Sequence, residues 1–339
     1  PKEVLKILGK DRGQRFCQIY NIVEGGNFRD ESAGGATGDS IPHLQDKLSG
    51  IAKEMKITPQ KLSEELDADR RKLFAVREKR IHPQKDDKIL TDWNGLMIAA
   101  MAHAGTVLGE DKYVRAAKRA ADFSLQTLRR KDGRLLKRYR DGEAGLPAHI
   151  EDYAFLAWGL LNLYEATFEV SYLREAIALN DLTLKHFWDN KDGGFFMTAD
   201  DGEKLLVRHK EIYDGAIPSG NSVAAMNLLR IGRITGRIEF EDKAAAVMKA
   251  FSLDVQRNPS AYSQLIQALD FAAGPSLEIV VAGDLKDPKT QILLKALRKD
   301  FIPNKVVVHR PQQKDSPITR IAPYTEFQEP AKDGAPRVY

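Results

Sequence analysis

The chain has 339 residues, of which 42% are hydrophobic and 29% charged, a composition that is typical of globular proteins. Its 52 basic residues are interleaved with 48 acidic ones, and they lack the aromatic platforms expected of a nucleic-acid groove. No apolar run reaches the roughly 18 residues that a membrane span needs. Cys17 is the only cysteine, which excludes an internal disulfide and a cysteine-based zinc cluster. We therefore expect a cytoplasmic protein with no nucleic-acid or membrane partner.

The first 50 residues contain GGNFRDESAGGATGDSIPH, which is rich in Gly, Ser and Asp and is typical of a loop. We therefore predict an irregular lead-in over residues 1–50. After it, ITPQKLSEELDADRRKLFAVREKR predicts one long, charged outer helix. Thr58 is expected to be its N-cap and Pro59 its first helical residue.

Three later stretches repeat one plan, in which a polar segment opens an apolar helix and an amphipathic helix follows. TDWNGLMIAAMAHAGTVLG begins the first, HIEDYAFLAWGLLNLYEATF the second and PSGNSVAAMNLLRIGRITG the third. The first two are in register, because Asp92 and Asp152 lie 60 residues apart, as do Asp132 and Asp192. A helix that is apolar all round must be covered on all sides, whereas an amphipathic helix lies outside. The pattern predicts helical hairpins of an α/α toroid over residues 51–274, with a flat helical solenoid as the alternative.

The C-terminal residues 275–339 change character. LEIVVAG and PNKVVVHR are β-branched and predict strands, and DPKTQILLKALRKDF between them predicts a helix. A small β-α-β unit is the result. Its VVAGDL turn lacks the GxGxxG pattern, so a dinucleotide is not expected there, and no other cofactor is predicted.

The repeat also predicts where a site would lie. All inner helices of such a ring run in the same direction, so their N-terminal ends meet at one mouth. The polar segments delivered there are 91–94, 149–153, 218–222 and 258–262. Carboxylates, amides, hydroxyls and aromatic rings in one depression favour a polyol ligand, and carbohydrate chemistry needs a pair of acid/base groups.

We assign candidate catalytic roles to His149, Glu151, Asp152 and Asp214. The candidate substrate-binding residues are Asp92, Trp93, Asn94, Tyr153, Ser219, Asn221 and Tyr262.

A structural explanation stays open for each of these residues. Asp, Asn, Ser and Thr are preferred helix N-caps, and acidic side chains in a first turn complement the helix dipole. The direction of the Glu151 and Asp152 side chains distinguishes the two explanations. His103 is expected to be a core histidine, while His209 could reach the mouth. The chain has no HExxH or HxH spacing, so no metal site is predicted.

Three blocks carry a resemblance to a known family. KDDKILTDWNGLMIAAMA, HIEDYAFLAWGLL and DGAIPSGNSVAAMNLL resemble the later half of the YyaL-type (spermatogenesis-associated protein 20-like) proteins. The resemblance covers most of the chain, including the β-α-β unit. It implies a thioredoxin-like domain followed by a six-hairpin α/α barrel similar to N-acylglucosamine 2-epimerases and glycosidases. It implies a carbohydrate-active architecture without fixing a reaction.

The chain departs from that family pattern at its start. PKEVLKILG resembles a segment in the middle of the family's barrel, so the thioredoxin-like domain and the first hairpins have no counterpart here. A partial ring would expose the apolar face of an inner helix. We therefore expect the missing N-terminal half of the barrel, or a partner chain, to cover that face.

Two functional hypotheses follow. The first is a carbohydrate-active enzyme, such as a sugar epimerase, isomerase or glycoside hydrolase, that acts on a small sugar-like ligand at the barrel mouth. The second is a non-catalytic helical toroid that binds a ligand or partner and serves as a scaffold for a thioredoxin-like domain outside this chain.

Overall fold

The computed structural model describes residues 1–30, 35–313 and 315–339. It divides into two compact units, Pro1–Asp86 and Asp87–Tyr339. This boundary differs from the predicted one, since residues 51–86 belong to the first unit and not to the helical hairpins. Part of the predicted N-terminal loop, residues 31–34, lies outside the described residues.

The described part of the first unit contains four helices: α1 (Lys2–Leu8), α2 (Lys10–Ile19), α3 (Leu48–Glu54) and α4 (Pro59–Arg77). Two short strands, β1 (Arg29–Asp30) and β2 (Gly35–Ala36), pair antiparallel. The expected irregular lead-in is thus wrong over residues 2–19, where apolar side chains at helical spacing bury one face of α1 and α2. The buried side chains of this core are Leu8, Phe16, Ile19, Tyr20, Ala52, Leu62 and Leu66.

Helix α4 confirms the predicted start of the long helix. Thr58 is its N-cap and accepts a hydrogen bond from the Lys61 amide, and Pro59 occupies its first turn. The helix packs against α1 and α3, so it is part of the first unit's core and not an outer helix of the toroid.

The second unit begins with the predicted hairpins. Strand β3 (Ile89–Leu90) leads into α5 (Thr91–Leu108), and α6 (Asp111–Thr127) follows. Strands β4 (Leu136–Arg140) and β5 (Glu143–Pro147) connect this hairpin to the next one and form an antiparallel sheet in the order β3-β4-β5. The remaining helices of the array are α7 (Ile150–Thr167), α8 (Val170–His186), α9 (Gly220–Thr235), α10 (Ile238–Ala250), α11 (Ser252–Arg257) and α12 (Ser263–Ala273), with a 3-10 turn at Pro259–Ala261.

The helices form two layers. The inner helices α5, α7, α9 and α12 pack side by side in chain order, and α6, α8 and α10 pack outside α5, α7 and α9. Helix α7 is buried on nearly every face. The fold is therefore mainly α, a partial α/α toroid, as the repeat predicts.

Two glycines set the close approach of α5 and α7. A Cβ atom on Gly95 would lie 2.4 Å from the Phe155 carbonyl carbon, and one on Gly159 would lie 2.7 Å from the Gly95 oxygen. Any side chain at either position would therefore push the two helices apart. The close contact brings the N-terminal ends of the two helices together.

The C-terminal part confirms the predicted β-α-β unit. Strand β6 (Leu277–Ala282) pairs in parallel with β7 (Lys305–Arg310), and α13 (Pro288–Lys299) connects them. The last elements are α14 (Pro317–Ile321), a 3-10 turn at Pro323–Phe327 and β8 (Arg337–Val338), which pairs antiparallel with β6. Strand β7 packs against α7 and α9, so this sheet shares the toroid's core. None of the helices in the described parts of the chain is long and apolar enough to span a bilayer.

Candidate functional site

Asp152 caps the helix that carries it. His149 is the N-cap of α7, and Asp152, three residues later, accepts a hydrogen bond from the His149 amide at 2.8 Å. This arrangement satisfies one of the amide groups that a helix start leaves unpaired. The local sequence thus explains the presence of one acid at the head of an apolar helix.

The same carboxylate also links two inner helices. Its second oxygen accepts the Asp92 amide, at the start of α5, at 3.1 Å. Asp152 is fully buried. A simple cap would need only its own helix, so this residue also holds the mouths of α5 and α7 in register.

A cation that the sequence interpretation missed lies between the two repeats. Lys137, on β4, places its Nζ atom 3.1 Å from an Asp92 oxygen and 3.4 Å from an Asp152 oxygen. The signal for this role is weak, because Lys137 is one of several basic residues in RRKDGRLLKRYR. Only the β4–β5 hairpin, which folds back over the helix ends, brings it to the mouth.

The proton affinities of this cluster are shifted. Burial raises the pKa of Asp152 to about 7, against the lowering effect of Lys137 and of its two amide donors. Burial alone would lower the pKa of Lys137, but Asp152 and Asp92 outweigh it and leave that pKa raised. Lys137 therefore remains charged, and it faces a carboxyl group that can change its protonation state near neutral pH.

Glu151 and His149 are the half-buried groups beside this cluster. Burial raises the pKa of Glu151, while the charge of Lys137 opposes the shift. Burial and Lys137 lower the pKa of His149. Among the described residues, no cation forms an ion pair with Glu151. The Glu151 carboxyl also interacts with its own backbone amide, which lowers its pKa, and the capping box of α7 directs the His149 side chain to the Asp152 amide. Glu151 and His149 are thus the titratable groups at the mouth that lie outside the ion pairs of Lys137 with Asp92 and Asp152.

The other candidate residues of the polar segments 91–94 and 149–153 differ in how exposed their side chains are. Asn94 donates to the Leu90 carbonyl at 2.8 Å and so stays within its own helix start. Tyr153 is buried, and its hydroxyl accepts from the Leu135 amide at 2.9 Å and from Arg134 at 3.0 Å. Trp93 is 61% exposed. Of the two aromatic side chains in these segments, Trp93 is therefore the one whose ring is accessible to a ligand.

The polar side chains near the start of α9 are engaged in hydrogen bonds with the backbone. Asp214 accepts from the amides of Ser219, Gln264 and Leu265 and from the Ser222 hydroxyl. It thereby caps α12 from outside and ties that helix to α9. Because four donors already surround its two oxygens, the structure gives no support to the predicted catalytic role of Asp214.

Ser219 and Asn221 have similar structural roles. Ser219 is the N-cap of α9 and accepts the Ser222 amide at 3.0 Å. Asn221 is fully buried and exchanges two hydrogen bonds with the Phe195 backbone, at 2.7 and 2.9 Å. The polar side-chain atoms of both residues are therefore already hydrogen-bonded within the protein, and the structure gives no support to the predicted substrate contacts. Tyr262 is half-buried and packs on the apolar core.

The inner helix starts nevertheless converge, as the ring geometry predicts. The Asp152–Asp92 hydrogen bond joins α7 to α5, and a Cβ atom on Gly220 would lie 2.8 Å from Ile150, which joins α9 to α7. Asp214 joins α9 to α12. The polar side chains at the starts of α9 and α12 are engaged in hydrogen bonds within the protein, whereas the start of α7 carries two titratable side chains, Glu151 and His149, outside the ion pairs of Lys137.

Two further histidines lie outside the set of candidate site residues, and the prediction for one of them was wrong. His103 is exposed on α5 and is not a core residue. His186, Asp200 and Asp201 are the group among the described residues whose potential metal ligands lie within 4.8 Å of one another. Arg134 already pairs with Asp201 there, so a cation would have to compete with a guanidinium group.

Comparison with known proteins gives relatives over most of the chain. No model of a known protein family matches it. Spermatogenesis-associated protein 20 of Homo sapiens is 33% identical over 324 residues, which are 92% of this chain and 41% of the relative. The chain thus spans about two fifths of the length of that relative.

Two solved structures of carbohydrate-active enzymes match part of the chain at low identity. Cellobiose 2-epimerase from Bacillus thermoamylovorans matches 50% of this chain and 46% of its own, with 17% identity and a TM-score of 0.42. A family 76 α-mannanase from Bacteroides thetaiotaomicron matches 61% of this chain and 58% of its own, with 20% identity and a TM-score of 0.41. Over the region that it spans, the chain belongs to the spermatogenesis-associated protein 20 family.

Proposed function

We propose that the mouth of α5 and α7 binds a small sugar-like ligand and that Glu151 and His149 exchange protons with it. The observation that carries the proposal is the state of Glu151. It is a half-buried carboxyl group with a raised pKa, it has no ion-pair partner among the described residues, and it lies in the field of the Lys137 ammonium. Perturbed groups of this kind concentrate at functional sites.

The two groups suit opposite roles. A raised pKa keeps the Glu151 proton on the carboxyl group at higher pH, as a general acid requires. A lowered pKa keeps His149 neutral near pH 7, as a general base requires. Two such groups could remove a proton from a sugar carbon beside a carbonyl and return one, or they could protonate a leaving oxygen.

Lys137 and Asp152 would support that chemistry without exchanging the proton. An ammonium fixed between two carboxylates can stabilise a sugar oxygen as negative charge develops on it. Asp152, which is enclosed by two amides and Lys137, holds Lys137 and the start of α7 in place. We therefore assign Asp152 as a positioning residue and not as a catalytic one.

A thermal-shift screen with reducing monosaccharides and disaccharides tests the proposal. We expect at least one sugar to raise the Tm of the wild-type chain by roughly 5 °C at a hundredfold excess over its Kd. Glu151→Gln should lose most of that rise, because the polar contact and the proton are altered without loss of a buried cap.

Glu143→Gln is the matched control. Glu143 is an exposed acid on β5, close in sequence to the site, and its variant should show the wild-type shift. If no sugar raises the Tm, or if Glu151→Gln gives the wild-type rise, the sugar site at this mouth is wrong.

A second candidate, a scaffold that binds another helical hairpin, is favoured by one face of α5. Residues 93, 97, 100, 103 and 107 are all exposed and follow one stripe of the helix. Trp93, Met97 and Val107 make most of that stripe apolar. We propose that the missing half of the barrel, or a partner chain, covers it.

Co-expression with the remaining part of a longer relative tests this second candidate. The two polypeptides should co-purify, and Met97→Lys should disrupt the complex. Leu253→Lys, at an exposed apolar residue of α11, should leave it intact. Co-purification that survives Met97→Lys would place the contact away from α5.

A further inference from the structure

The first unit contains a groove that no part of the proposed function uses. It lies between α1, α2 and α4 and has a volume of about 520 Å³. This value is within the range of about 300–1,000 Å³ that small-molecule sites occupy. The side chains that line it are Glu3, Val4, Ile7, Phe16, Tyr20, Ile22, Pro42, Arg70, Leu73, Phe74, Arg77 and Arg80.

The floor of the groove is apolar and well packed. Phe16 and Tyr20 are buried, and their ring centroids lie 4.5 Å apart. Val4, Ile7 and Leu73 pack around them and are only partly buried. An alkyl chain placed on this floor would remove their remaining apolar surface from water, which is favourable in proportion to the area covered.

The rim of the groove is cationic. Arg70 and Arg77 lie two turns apart on one face of α4, and Arg80, just beyond the end of that helix, lines the same groove. Against these three guanidinium groups the lining contains one carboxylate, Glu3. The electrostatic balance of the rim therefore favours an anion.

The three arginines are not equally occupied. Arg70 donates to the Tyr20 hydroxyl and pairs with Asp67, and Arg80 pairs with Glu3. Arg77 lies over the Phe74 ring, 5.2 Å from its centroid, and has no ion-pair partner among the described residues. Its guanidinium is thus the available donor beside the apolar floor.

We propose that this groove binds an anionic amphiphile with a single alkyl chain, whose carboxylate pairs with Arg77 while its chain lies on the Phe16–Tyr20 floor. Guanidinium groups match carboxylates with two parallel donors. The polar groups lie at the rim and the floor is apolar, which is the division that an amphiphile needs. Arg80 can also serve the head group when the ligand displaces Glu3.

Isothermal titration calorimetry of the complete chain with sodium dodecanoate, below its micelle concentration, tests the proposal. We expect saturable binding of one dodecanoate per chain with an unchanged far-ultraviolet circular dichroism spectrum. Dodecyltrimethylammonium, which has the same chain and the opposite charge, and acetate, which has the head group alone, should each bind at least tenfold more weakly. Added salt should weaken dodecanoate binding, because the rim is exposed.

Three variants locate the head group. Arg77→Gln should weaken dodecanoate binding roughly tenfold, since a charge-assisted hydrogen bond is lost. Arg71→Gln, at an exposed arginine of α4 outside the groove lining, should bind as the wild type does. Glu3→Gln should tighten binding a few-fold, because it frees Arg80.

Several results would overturn the proposal. They are an absence of saturable dodecanoate binding, several ligands per chain with loss of helicity, equal binding of the cationic amphiphile, or equal effects of Arg77→Gln and Arg71→Gln. The sugar-dependent Tm shifts of the α5–α7 mouth should not respond to Arg77→Gln, so the two proposals can fail independently.

Discussion

Helices α5 and α7 are two copies of one repeat, offset by 60 residues, yet corresponding side chains have opposite exposures. Trp93 corresponds to Tyr153, Met97 to Ala157 and His103 to Leu163. The three residues of α5 are exposed, whereas those of α7 are buried. The difference therefore arises from the neighbours of each helix and not from its place in the repeat.

The preceding hairpin supplies those neighbours for α7. Tyr153 accepts a hydrogen bond from the Leu135 amide, in the segment that leads from α6 into α7. Within the described part of the second unit, the corresponding face of α5 is exposed at Trp93, Met97 and His103. An aromatic residue at a repeat's mouth can thus be a packing residue, and its presence in a polar segment does not by itself indicate a ligand.

The largest expected change in stability comes from truncating a buried side chain of α7, on the face that is exposed in α5. Leu163→Ala should lower the free energy of unfolding by about 3 kcal/mol, because a fully buried side chain leaves a cavity between packed helices. His103→Ala, at the corresponding position of α5, should change it by less than about 0.5 kcal/mol. Urea denaturation monitored by circular dichroism measures both values.

A large cost for His103→Ala would contradict the difference in exposure between α5 and α7. A cost above about 1 kcal/mol for His103→Ala would mean that α5 is covered in solution, for example by association of two chains. Sedimentation of the wild-type chain would then show a dimer.

The two aspartates of the repeat provide an intermediate effect. The pKa of Asp152 is raised to about 7 in the folded chain from 3.8. The folded state therefore binds its proton more tightly than the unfolded state, and this contribution to stability is complete below about pH 4 and is lost as the pH rises to about 7. Wild-type stability should fall across this window by a few kcal/mol more than that of Asp152→Asn, which has no such proton, since each unit of pKa difference contributes about 1.4 kcal/mol.

Asp92→Asn is the paired control. The negative charge of Asp92 contributes to the raised pKa of Asp152, so its removal should narrow the pH window without abolishing it. Identical pH dependences for the wild type and Asp152→Asn would show that the buried carboxyl group does not titrate in this range.

The fold was largely predictable because its elements follow local patterns. The apolar run of α7, the amphipathic α8 and the Thr58–Pro59 start of α4 are encoded in contiguous residues. The parallel pairing of β6 and β7 likewise follows from two β-branched runs around a helix. The helices at 2–19 were missed because the neighbouring glycine-rich loop dominated the interpretation of that region.

The site was less predictable because its chemistry depends on contacts between distant segments. Lys137 reaches Asp92 across 45 positions and Asp214 reaches Leu265 across 51. Caps and acid/base groups use the same residue types at helix starts, so only these contacts distinguish Asp152 and Asp214, which link neighbouring helices, from Glu151, which forms no ion pair among the described residues. The sequence could identify the mouth, and the three-dimensional contacts were needed to divide its roles.

The smallest expected change in stability is that of Trp93→Ala, and this variant also tests whether Trp93 has the same role as Tyr153 at the corresponding position of α7. Because its indole is exposed, Trp93→Ala should change the free energy of unfolding by less than about 0.5 kcal/mol. If Trp93 stacks on a sugar, the same variant should lose most of the sugar-dependent Tm rise that Glu151→Gln loses. If it corresponds to Tyr153 in function as well as in register, the sugar response should persist while co-purification with the rest of a longer relative is lost. Measuring both responses in one variant thus assigns the indole to the ligand or to the neighbouring hairpin.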